Sequence, residues 1–101
     1  MANSMYTINM KFEWDDRKNH LNFEKHGVSF EEAQEGFFDI NRIIIKDDKH
    51  SKVEERFFCI GKNEKGIITI RFTMRGDSIR IIGAGYWREG KQRYERENDL
   101  H

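Results

Sequence analysis

Cysteine, proline and long apolar runs are all scarce in this 101-residue sequence. Its one cysteine, Cys59, excludes an internal disulfide bond and a zinc site built from a cysteine cluster. Without proline there is no proline-rich linker to separate two domains, and the length suits one domain. No stretch approaches the roughly eighteen apolar residues that a membrane-spanning helix needs. The first residues lack the basic and apolar regions of a secretory signal, so we expect a cytoplasmic protein without membrane association.

Charge is abundant but balanced, with 18 Lys or Arg against 18 Asp or Glu. Residues 1–60 hold 9 basic and 12 acidic residues, a net charge of −3, whereas residues 61–101 hold 9 and 6, a net charge of +3. The second part therefore places arginine where a polyanion could bind. Thirteen aromatic residues can supply the large buried areas of a core.

The first part of the chain predicts a short strand followed by two helices. Residues 11–14 alternate polar and apolar, as strands do. Asp15 can cap a helix that ends at Gly27, because glycine readily adopts the left-handed conformation of a helix terminus. Ser29 and Glu32 form a capping box for a second helix over 30–38.

The second part predicts four strands and a closing helix. Strands are expected over 42–46, 56–61, 67–75 and 78–85, and a helix over 87–97 that Gly90 interrupts. Gly76-Asp77 predicts a two-residue hairpin turn of the type with glycine first. The order β-α-α-β-β-β-β-α predicts an α+β fold: a mainly antiparallel, four- to five-stranded sheet with helices on one face. We expect residues 1–9 to be a disordered extension, 10–97 the domain and 98–101 a tail.

Several cationic side chains fall on the solvated sides of these elements. Lys18, Asn22 and His26 recur every four residues along the first helix. Arg71 and Arg75 share one face of a strand, and Arg80 can lie beside them across the hairpin. Guanidinium groups grip phosphate through paired hydrogen bonds. Together with a group that moves a proton, they suffice for RNA cleavage without a metal.

Each of these residues also has a structural interpretation. His26 can simply complement the dipole at a helix C-terminus, and Lys18 can pair with Asp15. Arg71 and Arg75 can serve solubility. His50 is expected to be solvated in a polar loop, and Cys59 to be an inert buried thiol. The histidines lack the spacing of zinc ligands, so we expect neither a metal nor another cofactor.

Four stretches together resemble the BrnT toxins of bacterial type II toxin–antitoxin pairs: "KFEWDDRKNHLNFEKHGVSFEEA", "HSKVEERFFCIGKNEKG", "RGDSIRIIGA" and a closing "YE". The resemblance covers roughly residues 10–97. It implies a RelE-like fold and a ribonuclease that arrests translation. It also implies neutralisation by a BrnA-type antitoxin with a ribbon-helix-helix part, so that operator DNA is bound only through the antitoxin. A dimer of the toxin or a heterotetramer with the antitoxin is expected.

The family pattern matches this sequence at Trp14, Asp15, Lys18, Asn22, Lys25, His26, Gly27, Ser29, Glu54, Glu55, Arg56, Arg75, Arg80 and Tyr94. From it we predict the catalytic residues His26, Lys18, Arg80 and Arg75. The predicted substrate-binding residues are Arg88, Arg71, Lys25, Tyr94 and Tyr86.

One departure from the pattern favours an alternative function. Where many members have Ser-Ala-Arg, this chain has Gly83-Ala84-Gly85, so "GAGYWREGK" resembles a variant branch. Either Arg88 replaces the missing arginine, or the chain is a catalytically weak subunit that acts as antitoxin partner and co-repressor. Tyr86 and Trp87 can stack on a base, although for Trp87 packing of the last helix on the sheet is the favoured role.

Overall fold

The computed structural model describes residues 10–99. Its strands are β1 (Lys11–Glu13), β2 (Ile43–Lys46), β3 (Arg56–Lys62), β4 (Ile67–Arg75) and β5 (Ser78–Gly85). Its α-helices are α1 (Asp16–His26), α2 (Phe30–Ala33) and α3 (Arg88–Glu97), and two 3₁₀ helices cover Gln34–Phe38 and Asp48–His50. The predicted extension over 1–9 lies outside the described residues.

The five strands form one mixed sheet in the order β1-β5-β4-β3-β2. β1 pairs with β5 in parallel, and the other neighbours are antiparallel. The predicted α+β class and mainly antiparallel sheet are therefore confirmed. Gly76, at φ +61°, takes the first position of the β4–β5 turn, as its order before Asp77 predicts.

The helix predicted over 30–38 is present with those bounds, whereas the predicted interruption of the last helix is wrong. The segment 30–38 is α-helical only to Ala33 and continues as a 3₁₀ helix, in which Gly36 packs against the backbone of Gly61. The last helix is not interrupted at Gly90, because that residue lies buried against Thr69, where only a hydrogen fits. The helix runs through it unbroken.

Helices cover both faces of the sheet, not one as predicted. One face packs against α2 and the 3₁₀ helix that follows, and it holds the core; the buried members include Phe30, Phe37, Ile70, Phe72 and Ile81. α1 has no buried residue, which confirms its predicted place at the surface. α3 packs on the opposite face, through Gly90 against Thr69. The part of that second face which α3 leaves open carries the site described next. No helix within residues 10–99 is long and apolar enough to cross a membrane.

Candidate nucleic-acid interface

Four arginines surround one residue on the open face of the sheet. Thr73 of β4 is paired with Arg56 of β3 on one side and with Arg80 of β5 on the other. Arg71 and Arg75 lie two residues before and after it on the same strand, and therefore on the same face. Paired side chains on neighbouring strands start only about 5 Å apart. We call Arg56, Arg71, Arg75 and Arg80 the arginine ring.

Carboxylates neutralise the arginine ring only in part. Arg80 donates to Glu13 at 2.9 Å, Arg56 lies 3.6 Å from a Glu54 oxygen, and Arg71 lies 3.8 Å from an Asp47 oxygen. Among the described residues, only Arg75 of the ring has no carboxylate this close. The Nε atom of Arg56 is nevertheless buried without a hydrogen-bond partner among the described residues. A buried donor in this state is unusual in a folded protein. Arg75 is exposed at the end of its strand.

Beside the arginine ring, β5 has no side chain at Gly83, which lies between α1 and β4. A Cβ atom placed on Gly83 would lie 3.8 Å from the Asn22 side chain on α1 and 3.9 Å from Cδ of Arg71 on β4. Gly83 is thus the floor between these two side chains. We call this narrow gap between Asn22 and Arg71 the Gly83 trough.

Asn22 fastens the helical wall of the trough to the sheet. Its Nδ2 donates to the carbonyl oxygens of Ala84 and Val28, each at 2.9 Å. Its Oδ1 accepts from the Ala84 N–H at 3.2 Å. β1 pairs only with residues 78–80 of β5, so no strand of the described sheet pairs with Ala84 on this side. The Asn22 amide instead forms the hydrogen bonds that the N–H and C=O of Ala84 would otherwise lack. The polar stripe predicted along α1 therefore faces β5.

His26 lies one helical turn beyond Asn22, at the C-terminus of α1. Gly27 ends the helix at φ +70°, and its N–H donates to the Phe23 carbonyl at 2.8 Å. The exposed His26 ring meets the Trp87 indole edge to face, with centroids 5.2 Å apart. The structure therefore fixes the imidazole beside the sheet in addition to placing it at the helix terminus.

Trp87 occupies the space above Gly85. A Cβ atom on Gly85 would lie 2.6 Å from the indole, so a larger residue at position 85 would displace the ring. The indole therefore leaves no room for an arginine at this position. Arg88 follows directly and lines a cleft of about 450 Å³ with Phe58 and Thr69.

Arg88 and Arg75 lie at opposite ends of β4. Arg88 lies at the level of Thr69, six residues and therefore roughly 20 Å along the strand from Arg75. No contact within residues 10–99 brings the two guanidinium groups together, and that they clamp one phosphate stays a prediction. They can contact different phosphates of one strand.

The two predicted lysines lie apart on α1. Lys18 lies in the first turn of α1, near Arg80. The hydrogen bond from the Lys18 backbone N–H is the main reason that the pKa of Asp15 is lowered, and the charges of Lys18 and Arg80 lower it further. Lys25 is exposed in the last turn, where its charge complements the helix dipole. Within residues 10–99 no contact joins Lys25 to the arginine ring.

The two predicted tyrosines are held by carboxylates. Tyr86 donates to Glu32 and accepts from Asn63, and burial together with Glu32 raises its pKa to about 12. Tyr94 is buried, and its hydroxyl donates to Asp39. The prediction that Tyr94 binds substrate is wrong, because the side chain packs α3 onto the sheet.

One arrangement was missed by sequence analysis. His50 was expected to be solvated, but its Nδ1 lies 2.8 Å from Oδ2 of Asp47, a carboxylate only 7 % exposed. Nη2 of Arg71 lies 3.3 Å from the same ring nitrogen and 3.8 Å from the same oxygen. The spacing of three residues between Asp47 and His50 was the only sequence signal, and it needed a 3₁₀ turn to become a contact.

No group of three or more His, Cys, Asp or Glu side chains with the geometry of a metal site occurs within residues 10–99. Cys59 is buried, and burial raises its pKa to about 12, as expected for an inert thiol.

The comparisons with known proteins point to one family. A family model described as "Ribonuclease toxin, BrnT, of type II toxin-antitoxin system" matches residues 14–90. The match includes the arginine ring, Asn22, His26, Asp47, His50 and Arg88. No curated protein matches the chain closely enough to serve as a relative.

Proposed function

The chain belongs to the BrnT family of ribonuclease toxins of type II toxin–antitoxin systems, and from this premise we propose that it cleaves RNA at the Gly83 trough without a metal ion. The observation that carries the proposal is the arginine ring, four guanidinium groups around Thr73 that acidic neighbours only partly neutralise. Such a surface suits the phosphate backbone of a single strand.

The bound RNA would run along β4, from the β4–β5 turn towards α3. Arg75 and Arg80 bind one part of the backbone, Arg71 lies beside the trough, and Arg88 binds the part beyond it. Lys18, next to Arg80, adds positive charge at the helical wall. Because planar guanidinium groups donate two hydrogen bonds to one phosphate, they also stabilise the charge that develops in the transition state.

The reaction that fits these groups is attack of a ribose 2′-OH on the adjacent phosphate. The 2′ oxygen loses a proton, the bond between phosphorus and the 5′ oxygen breaks, and the leaving oxygen gains a proton. The products are a 2′,3′-cyclic phosphate and a 5′-OH. His26, held by Trp87 at the edge of the trough, is one group that transfers a proton. Arginine supplies the positive charge that a metal ion provides in other nucleases.

A BrnA-type antitoxin with a ribbon-helix-helix part is the proposed partner. Neutralisation requires that substrate be excluded, so its docking segment would cover the arginine face or lie beside it. Operator DNA would be contacted by the antitoxin within the complex. Arrest of translation would follow from loss of messenger RNA.

The purified toxin, released from its complex with the antitoxin, tests the proposal directly. It is incubated with a long single-stranded RNA in the presence and absence of EDTA, and the ends of the fragments are determined. We expect the same rate in both and 2′,3′-cyclic phosphate ends. Arg80→Gln should lower the rate at least tenfold, whereas Arg96→Gln on the far helix should not. Dependence on a divalent ion would refute metal independence.

The second candidate is a weak or inactive subunit that serves as antitoxin partner and co-repressor. The observation in its favour is Trp87, which fills the space where an arginine at position 85 would project. Induction in cells without antitoxin separates the two candidates. Growth arrest with loss of RNA supports the nuclease, and unimpaired growth with intact RNA supports the co-repressor.

A further inference from the structure

Position 50 holds an imidazole that the proposed mechanism has not used. We propose, on the basis of the proposed ribonuclease function, that His50 is the general base for the 2′-OH, positioned by Asp47, and that His26 is the opposing acid. The inference rests on the geometry of one short turn and on its place beside Arg71.

The turn that carries His50 is tied to β3 by its own backbone and by Ser51. The Ser51 hydroxyl donates to the Asp47 carbonyl at 2.6 Å and accepts from the Arg56 N–H at 2.9 Å. The Asp47 N–H in turn donates to the Arg56 carbonyl at 2.8 Å. The imidazole is therefore held in place before any substrate binds, as acid–base catalysis requires.

The hydrogen bond to Asp47 favours one tautomer of the neutral ring. Only an N–H can donate to a carboxylate, so in the neutral imidazole Nδ1 carries the hydrogen, and the Nε2 lone pair can accept a proton. The Arg71 guanidinium then interacts with the Asp47 carboxylate, because an N–H group cannot donate to a protonated Nδ1. A buried carboxylate that orients a half-exposed imidazole is the arrangement that hydrolases use to stabilise an imidazolium as it forms.

The two side chains that border Gly83, Asn22 and Arg71, each lead to one of the two imidazoles. On one side Asn22 borders Gly83, and His26 follows one turn later on α1. On the other side Cδ of Arg71 borders Gly83, and its guanidinium reaches His50. A phosphate held by Arg71 over the glycine floor would therefore have a base on one side and an acid on the other. In-line attack needs its two proton transfers on opposite sides of the phosphorus in this way.

The step balances without a further reactant. Nε2 of His50 takes the proton of the 2′-OH as the bond between the 2′ oxygen and phosphorus forms. The bond between phosphorus and the 5′ oxygen breaks, and the His26 imidazolium gives its proton to that oxygen. Exchange of both protons with water restores the starting state. No electron transfer and no cofactor is involved.

The decisive variant is His50→Asn, because its amide can still donate to Asp47 and preserve the turn. The initial rate of cleavage of a single-stranded RNA should fall by about 10²–10⁴. Binding of the same sequence as 2′-deoxy strand should change less than about threefold. The matched control is His20→Asn, an exposed histidine that pairs with Glu24 on the outer side of α1, and its rate should equal that of the wild type.

Asp47→Asn tests the positioning role and has a readout that simple loss of structure does not give. An asparagine can either accept from or donate to Nδ1 of His50, so the preferred tautomer is lost. The rate should fall while the folded fraction, measured by circular dichroism, stays unchanged.

The wild-type dependence of rate on pH should be bell-shaped, because one imidazole must be neutral and the other charged. His50→Asn should remove the acidic limb of that curve. The charged groups around His50 are Asp47, Asp48 and Lys49 of its own turn and Arg71 of β4, with Glu89 and Arg93 of α3 across the adjoining cleft.

The outcomes separate this inference from the function on which it rests. If the wild type cleaves RNA and His50→Asn keeps more than about a third of its rate, the role of His50 is refuted and the nuclease stands. If the wild type does not cleave RNA, both fall. If His50→Asn does not fold, the wild-type profile decides: a single acidic or basic limb overturns the two-imidazole scheme, and a bell with both limbs supports it.

Discussion

Replacement of Asn22 by alanine is the sharpest test of how α1 is attached to the sheet. The side chain makes three hydrogen bonds to backbone groups, two with Ala84 and one with Val28. A typical hydrogen bond contributes about 1 kcal/mol net, and a partly buried group left without a partner costs more. The variant should therefore lose about 3 kcal/mol of its free energy of unfolding. For a domain of this size that corresponds to a fall in melting temperature of roughly 12–24 °C.

The measurement is urea denaturation of the purified toxin, followed by circular dichroism. The midpoint should fall while the slope m stays constant, because the surface exposed on unfolding does not change. His20→Ala is the matched control, since it removes an exposed polar side chain from the same helix and should cost less than about 0.5 kcal/mol. A loss for Asn22→Ala no larger than that of the control would refute the idea that this amide holds helix and sheet together.

Three further predictions concern the core. Tyr94→Phe should cost about 1–2 kcal/mol in urea denaturation at pH 7, because the hydroxyl donates to the ionised Asp39. Burial raises the pKa of Asp39, but hydrogen bonds from Tyr94 and two backbone N–H groups outweigh it and hold that pKa below its usual 3.8. The cost of Tyr94→Phe should therefore shrink as the pH falls below 3.8 and Asp39 becomes protonated. A cost that stays constant with pH would contradict this. Burial raises the pKa of Cys59 to about 12, so the thiol should not react with iodoacetamide at pH 8 until urea unfolds the chain. Rapid alkylation of the native protein, measured by mass spectrometry, would contradict its burial. Gly85→Ala should shift the fluorescence of Trp87 and lower the free energy of unfolding by about 1–3 kcal/mol, because the added Cβ would overlap the indole. The spectrum is recorded with Trp14 replaced by phenylalanine. An unchanged spectrum would mean that the indole does not lie above Gly85.

The parts of the fold that depend on local chemistry were predictable from the sequence. The Asp15 cap, the Gly27 terminus and the Ser29 hydroxyl that accepts from the Glu32 N–H are all present. The alternation along β4 correctly placed Arg71 and Arg75 on one face of the strand. These features are determined within a few residues, so the sequence pattern contains them.

The errors come from contacts between distant segments. Gly90 reads as a helix breaker, yet its missing side chain is what allows α3 to approach Thr69. Tyr94 was predicted to bind substrate, but its hydroxyl donates to Asp39, fifty-five positions earlier, and the side chain is buried. No local pattern reports such pairs.

The candidate site divides in the same way. Strand alternation predicted that Arg71 and Arg75 share a face, and the hairpin register predicted that Arg80 joins them. The fourth member, Arg56, and the contact of His50 with Asp47 depend on how β3 and the loop before it pack. Both required the assembled sheet.

The amide of Asn22 also bears on whether the free toxin stays dispersed in solution. β1 covers only three residues of β5, and beyond them the longest exposed backbone edge of the described sheet would lie open to a strand from another molecule. A single side chain occupies the hydrogen-bonding groups of Ala84 in its place. What remains at the borders of the sheet are strands of three and four residues, too short to seed growth by strand addition. One asparagine thus occupies the two backbone groups of Ala84 that an added strand would need for pairing.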